Sequence, residues 1–431
     1  MTLAPPWPYR MAVATAVPLL RAAGLASSGI AGMVRGRDQS RAAFRDWART
    51  RDRSAPLLLV HAPSAGEWRQ ADPVIDVLRS FRHGLQFACT YTSPSAVPVV
   101  EEIAPEVHGF LPWDRPGDVA ELLDTLKPDL LVVTKLDLWP ELALQARARG
   151  IPIVLIAATV RERSNRLRGA GRLIVRTAYE SVTLALAVSP EDAVRLAALG
   201  VSSDRISVVG DPRYDSVLER IAGVTASPVP GLLVAGSTWP GDERVLLRAF
   251  AQVRRAFPDP RLLIVPHRPA ADDLDRLTRL ASRYHLPWPE QLALSPPPSA
   301  NAWPTLSIVS RVGGLARWFG LGEIAYVGGG YGRGLHSVLE PAAWGLPVVV
   351  GPRWRGNADA EALEQVQALT PLELKRPVEQ LANHWTWLLE NPGERHRTGA
   401  AARALVEARA GAATVVAGFV LEALQTKKGR D

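Results

Sequence analysis

Short, nearly continuous apolar runs recur along the chain at 57–61 (LLLVH), 85–90, 129–134, 153–157, 184–188 and 206–209. Longer stretches between them, such as 67–79 and 118–126, mix polar and apolar residues on a helical period. Runs without alternation predict strands buried on both faces, and strands separated by helices predict a parallel sheet covered on both sides. The pattern breaks at 222–231 (AGVTASPVPG), a linker by its Pro, Gly and small residues. It then restarts, with apolar runs at 232–235, 261–265, 324–327 and 347–350. Residues 287–304 are proline-rich and predict irregular backbone, and from 362 onward the pattern is helical up to a polar tail at 427–431. The expectation is an α/β chain with two doubly wound, Rossmann-like domains, 35–222 and 231–431, facing each other across a cleft. The last helix could return to the first domain.

Ahead of them, residues 1–34 form a separate expected segment. Its apolar part, 11–34, is flanked by Arg10, Arg35 and Arg37 and interrupted by Pro18, Arg21, Gly24 and two serines. A span needs about 20 apolar residues. The pattern fits better a helix lying on, or shallowly inserted in, an anionic membrane face; a plain packing helix is the competing reading. No small-residue cleavage site follows a clean apolar core.

At 431 residues the chain is too long for one ordinary core. Its net charge of +7 suits an anionic substrate or surface. No arginine run is interleaved with aromatics, which argues against nucleic acid. Cys89 is the only cysteine, so an internal disulfide and a cysteine metal cluster are excluded.

Candidate chemistry gathers at the ends of the expected strands: Ser64, Gly66 and Glu67; Asp137 and Trp139; Gly236, Ser237 and Thr238; His267 and Arg268; and His336 to Glu340. The stretch 324–357 is the densest. An apolar run ends in Gly328, Gly329 and Gly330, and Ser337 is expected to start a helix with Glu340 as capping-box partner. A glycine loop feeding a helix start offers free N–H groups to an anion, and Glu340 could bond ribose hydroxyls. No phosphate fingerprint of the G-x-G-x-x-G or G-x-x-x-x-G-K-[ST] type occurs there, so a tight turn with a self-capped helix is an equal reading. Ser64 and Glu67 likewise fit a capping box as well as a catalytic site.

Taken in order, these loops resemble the Kdo transferases of lipopolysaccharide assembly, inverting GT-B glycosyltransferases that move 3-deoxy-D-manno-octulosonic acid (Kdo) from CMP-Kdo to a lipid A precursor. His61-Ala62-Pro63-Ser64-Ala65-Gly66-Glu67 looks like the family's His-x-x-Ser-x-Gly-Glu loop. Asp137-Leu138-Trp139-Pro140 is similar to its Glu-Leu-Trp-Pro. Gly210-Asp211-Pro212-Arg213-Tyr214-Asp215 resembles the segment ending its first domain. Ser237-Thr238 with Gly241-Asp242-Glu243 resembles Ser-Thr-His-x-Gly-Glu-Glu, and Val265-Pro266-His267-Arg268-Pro269 resembles Val-Pro-Arg-His-Pro. Gly328-Gly329, His336, Leu339-Glu340, Gly351-Pro352 and Asn357 follow its last motif. The chain departs from the pattern at Asp137, at the His267-Arg268 order, at Ser337, and at Arg311-Val312-Gly313-Gly314-Leu315, where two acids are lost.

The resemblance implies that Glu67 is the base, with Asp137 beside it as a second catalytic candidate. It places Ser64, Gly66, Arg213, Gly236, Ser237, Thr238, His267, Arg268, Gly329, Gly330, His336, Ser337, Glu340 and Asn357 at the substrates. Leaving CMP would be stabilised by helix N-termini and Arg268, so neither metal nor cofactor is expected; no Asp-x-Asp occurs at the site loops. The implied partners are CMP-Kdo, a lipid A precursor and the cytoplasmic face of an inner membrane, bound peripherally or through the N-terminal segment, with no nucleic acid. The alternatives are another GT-B nucleotide-sugar enzyme, of the lipid A disaccharide synthase or UDP-sugar epimerase kind, and a non-catalytic membrane-bound nucleotide-sugar binder.

Overall fold

The computed structural model describes residues 5–23, 27–225, 227–293, 302–311, 313–332 and 334–428. The chain divides into two compact units, Met1–Ser216 with Ala410–Asp431, and Val217–Arg409. The division falls inside the helix Arg213–Ala222, upstream of the stretch read as a linker.

The first unit holds seven parallel strands: β1 (Leu57–His61), β2 (Gln86–Tyr91), β3 (Val107–Phe110), β4 (Leu130–Thr134), β5 (Ile153–Ala158), β6 (Leu184–Ala187) and β7 (Ile206–Val208), in the order β3-β2-β1-β4-β5-β6-β7. Both faces are covered. Leu57 and Leu59 of β1 point into one apolar core, and Leu58 and Val60 into the other. A strand buried on both sides has no polar face to show, which is why its sequence does not alternate. The last helix, Ala412–Lys428, belongs to this unit and buries Val416, Val420 and Leu424 in the second core. By length and composition the stretch Pro392–Thr426 could cross a membrane, but those three side chains are already used in packing.

The second unit holds β8 (Leu232–Thr238), β9 (Arg261–Pro266), β10 (Glu290–Leu292), β11 (Leu306–Val309), β12 (Ile324–Val327), β13 (Val348–Val350) and β14 (Leu369–Pro371), ordered β10-β11-β9-β8-β12-β13-β14, again all parallel. Strands β10, β11 and β14 are additions to the sequence reading. β10 and β14 are three-residue edge strands with one buried residue each, too short to leave a period.

In both sheets the strand order reverses beside the first strand, between β1 and β4 and between β8 and β12. Loops on either side of such a switch point part at the C-terminal ends of the strands and leave a crevice.

The N-terminal reading needs correction. Residues 28–34 belong to the helix Ser28–Thr50, which runs on through the expected boundary at 34/35. This helix packs closely on β3, where Gly109 leaves room for it: a Cβ there would stand 2.5 Å from the Ser40 side chain. The Arg37 guanidinium lies 3.9 Å over the Trp113 ring. The helix Trp7–Ala23 is a separate element that packs against Ser28–Thr50, burying Val17. Its start is tied down by Tyr9, donating to Asp114 at 2.6 Å, and by Arg10, paired with Glu141 at 2.9 Å and 3.0 Å. Farther along, Met11 is 55% and Leu19 69% exposed.

Candidate active site

The first pocket, of ≈ 550 Å³, opens at the β1/β4 switch point. Glu67 comes from the first turn of the helix Ala65–Phe81 that follows β1, and Lys135 and Asp137 from the loop after β4. Lys135 sits at the strand end with φ 58°, a left-handed conformation uncommon for a residue with a Cβ.

The capping-box reading of Ser64 fails. Ser64 occupies the N-cap position, but its hydroxyl makes no cap bond and instead donates to Glu67 Oε2 in a short contact. Lys135 Nζ donates to the other oxygen, Oε1, at 2.9 Å. Burial on its own would raise the Glu67 pKa, but the Ser64 hydroxyl and the Lys135 ammonium outweigh it and hold the carboxyl below its usual range. Glu67 is therefore ionised at neutral pH and faces a pocket, as a proton acceptor must. Gly66 precedes it, and a Cβ there would meet nothing closer than the Ser64 hydroxyl oxygen at 4.0 Å. Nothing inside the protein requires that glycine.

Asp137 accepts from His61 Nε2 at 2.9 Å and from Trp139 Nε1 at 3.3 Å. Burial raises its pKa, and the bond and charge of His61, the Trp139 bond and the charge of Arg166 together bring it down. His61 is fully buried, and its Nδ1 lies 3.0 Å from the Thr90 carbonyl oxygen. Its role in holding Asp137 was not assigned from sequence, although a histidine closing an apolar strand was a visible signal. Three arginines were also missed, Arg161, Arg163 and Arg166, which line the same pocket from the loop after β5. Their signal was the run Arg161-Glu162-Arg163-Ser164-Asn165-Arg166.

The second pocket, of ≈ 540 Å³, lies at the β8/β12 switch point, lined by Thr238, the start of the helix Pro240–Ala256, Arg268, Arg276, Gly329 and Tyr331 among others. Gly236, Ser237 and Thr238, expected at a helix start, are the last residues of β8. Gly236 is a packing glycine: a Cβ would stand 2.5 Å from the Phe319 ring. Ser237 is a left-handed residue (φ 53°) at a register shift, and the Thr238 hydroxyl donates to Glu243 at 3.1 Å. Two buried acids organise this corner. Asp242 accepts from the amides of Trp239 and Gly329, each at 3.0 Å, and from the Tyr326 hydroxyl at 2.9 Å. Glu243 pairs with Arg276. Burial raises the pKa of both acids, against these bonds.

His267 and His336 meet here. His267 stacks on Trp239 and on His336, with ring centroids 4.6 Å and 4.5 Å apart. Trp239 Nε1 donates to His336 Nε2 at 2.8 Å. Burial, with the nearby His267, lowers His336 to about 4, so it is neutral at pH 7. Arg268 is exposed on the pocket wall.

Four expectations change, three of them in the second unit and one, that for Arg213, in the first. Ser337 does not start a helix: the helix is Leu339–Ala343, five residues long, and Ser337 Oγ only accepts from Leu339 N at 3.4 Å. Gly329 and Gly330 are explained by backbone packing, since the Gly329 amide is taken by Asp242 and a Cβ on Gly330 would stand 2.6 Å from Gly351 Cα. Asn357 is an N-cap, its side-chain oxygen accepting from Asp359 N and Ala360 N at 3.1 Å. Arg213 is bound to buried Asp211 at 2.8 Å, so its charge is matched internally. Glu340 keeps a free function. Arg220 donates to its Oε1 at 3.1 Å, while Oε2 is buried and has no partner among the described residues.

These features define a fold class. Over 86% of this chain and the whole of the other, the fold matches the UDP-GlcNAc 2-epimerase from Neisseria meningitidis bound to UDP-GlcNAc (TM-score 0.59, 14% identity). It also matches a glycosyltransferase from Rickettsia africae over 88% and 100% (TM-score 0.55, 13% identity). The architecture is that of the GT-B glycosyltransferases and their epimerase relatives. Residues 38–216 match the family model described as 3-deoxy-D-manno-octulosonic-acid transferase (kdotransferase). The chain is 29% identical over 383 residues to the 3-deoxy-D-manno-octulosonic acid transferase of Bordetella pertussis, covering 83% of this chain and 86% of that one. It is 26% identical over 371 residues to the Haemophilus influenzae protein of that name, covering 79% and 85%. The chain is a glycosyltransferase, similar over most of its length to these Kdo transferases.

Proposed function

We propose that this enzyme transfers Kdo from CMP-Kdo to a lipid A precursor, with inversion at the anomeric carbon. The observation that carries the reading is Glu67, ionised and pocket-facing at the switch point of the first sheet. It takes the proton of the acceptor hydroxyl as that oxygen attacks, and Lys135 and Ser64 hold the carboxylate in place. Asp137, fixed by His61 and Trp139, shapes the neighbouring wall. In the second unit, Arg268 and Arg276 offset the charge of the departing CMP, and Glu340 Oε2 receives a ribose hydroxyl. No step calls for a metal. The helix Trp7–Ala23, fixed at its start and apolar on its exposed side, lies in the cytoplasmic face of the membrane that carries the acceptor.

The test is transfer of labelled Kdo from preformed CMP-Kdo onto tetraacyl lipid A precursor, with UDP-sugars as controls. Transfer from CMP-Kdo alone is expected. Turnover of a UDP-sugar instead would replace this reading with an epimerase-like one.

A further inference from the structure

Arg161, Arg163 and Arg166 lie within six residues of one another on the wall of the Glu67 pocket. None of the three forms an ion pair with the described residues, whereas Arg41, Arg149, Arg276 and Arg395 of the same chain all do. Gathering like charges at one pocket is unfavourable unless an anion answers them. The pocket answers them only in part: its two carboxylates, Glu67 and Asp137, face four cations counting Lys135, and the Arg166 charge acts on Asp137. Glu67 is engaged by Ser64 and Lys135, and Asp137 by His61 and Trp139. Glu162, in the same loop, is exposed and does not line the pocket.

We propose that Arg161, Arg163 and Arg166 bind a phosphate monoester on the acceptor and so orient its hydroxyl toward Glu67. This rests on the reading of Glu67 as the base, because whatever sits in this pocket must offer that carboxylate a hydroxyl. The guanidinium fork matches the oxygens of a phosphate. A carboxylate is satisfied by one such fork; three cations call for a dianion.

The experiment compares the full chain with the triple variant Arg161→Gln/Arg163→Gln/Arg166→Gln. The ligands are detergent micelles containing the tetraacyl lipid A precursor or its dephosphorylated form. Binding is measured without donor, and transfer kinetics with it. The wild type should prefer the phosphorylated form. The variant should lose at least about 10-fold in affinity for that form and little for the other, with the KM for CMP-Kdo unchanged. Arg168→Gln/Arg172→Gln removes neighbouring charge outside the pocket lining and should leave the preference intact. Equal weakening toward both acceptors, equal loss in this control, or a rise in donor KM alone would overturn the proposal; the last would assign the arginines to the transferred sugar's carboxylate. Unchanged micelle binding with lost association to anionic phospholipid vesicles would overturn it in favour of a surface role. If no transfer occurs with any acceptor, the function proposed above fails while the binding comparison still decides this point.

Discussion

A general base has to be ionised before its substrate arrives, and the neighbours of Glu67 meet that condition. Glu67→Gln keeps size and most hydrogen bonding but removes the proton acceptor. The variant should fold, bind CMP-Kdo normally and lose about 10²–10⁴-fold in turnover. If it loses thermal stability and keeps its rate, the carboxylate is structural. Lys135 tests the same point through pH. Its ammonium helps hold the Glu67 carboxyl down, so Lys135→Met lets that pKa rise, and the acid limb of the kcat/KM profile should move to higher pH. Glu340→Ala should weaken CMP binding by about 1.5–3 kcal/mol, with a smaller effect on the chemical step, by removing the charged hydrogen bond proposed to the ribose. Calorimetric titration with CMP reads this directly. Local sequence could not separate these roles from helix capping, because Ser and Glu three apart serve both. The side-chain geometry separates them: the Ser64 hydroxyl goes to Glu67, and Ser337 lies outside the helix it was expected to cap.

Two glycine loops that look alike in sequence answer to different demands at the level of elements. Gly328 is forced by packing: a Cβ would stand 2.7 Å from Thr238 Cα and closer still to the Ser237 carbonyl oxygen. Gly328→Ala should therefore destabilise the second unit by about 1–3 kcal/mol or more, seen as a lower unfolding midpoint. Gly66 sits in open space within a helical turn. Gly66→Ala should leave stability unchanged or raise it by about 0.5–1 kcal/mol, while reducing kcat/KM for the acceptor if the proposed substrate site includes this turn. A destabilised Gly66→Ala protein would count against a substrate at that turn. The triple glycine at 328–330 drew the sequence reading toward a phosphate loop. Its crowding comes from β8 and from the residues after β13, which are distant in the chain.

For the whole molecule, transfer should be insensitive to chelators when CMP-Kdo is supplied preformed. Loss of activity with a chelator and its return with magnesium would contradict the mechanism. The N-terminal helix can be removed by a cut more precise than the sequence suggested. Deleting residues 1–26 spares the helix Ser28–Thr50, whose packing on β3 belongs to the first unit. The shortened protein should be folded, bind CMP-Kdo normally and partition less into membrane fractions. A cut at 34 would remove two turns of the packing helix and should lower stability.

The two-unit α/β architecture was legible in the linear sequence because strands buried on both faces must be apolar throughout, and that constraint acts residue by residue. The motif loops were legible for a related reason: each is a few consecutive residues at one strand end. Sheet order is not written in any local period. It brings β1 beside β4, and so Lys135 to a carboxylate 68 positions away. It also brings the arginines after β5 to the same pocket. Which glycines packing requires, which acids are already bonded and which oxygen of Glu340 is left over are settled only when distant segments meet, because a side chain's partners are set by tertiary contact.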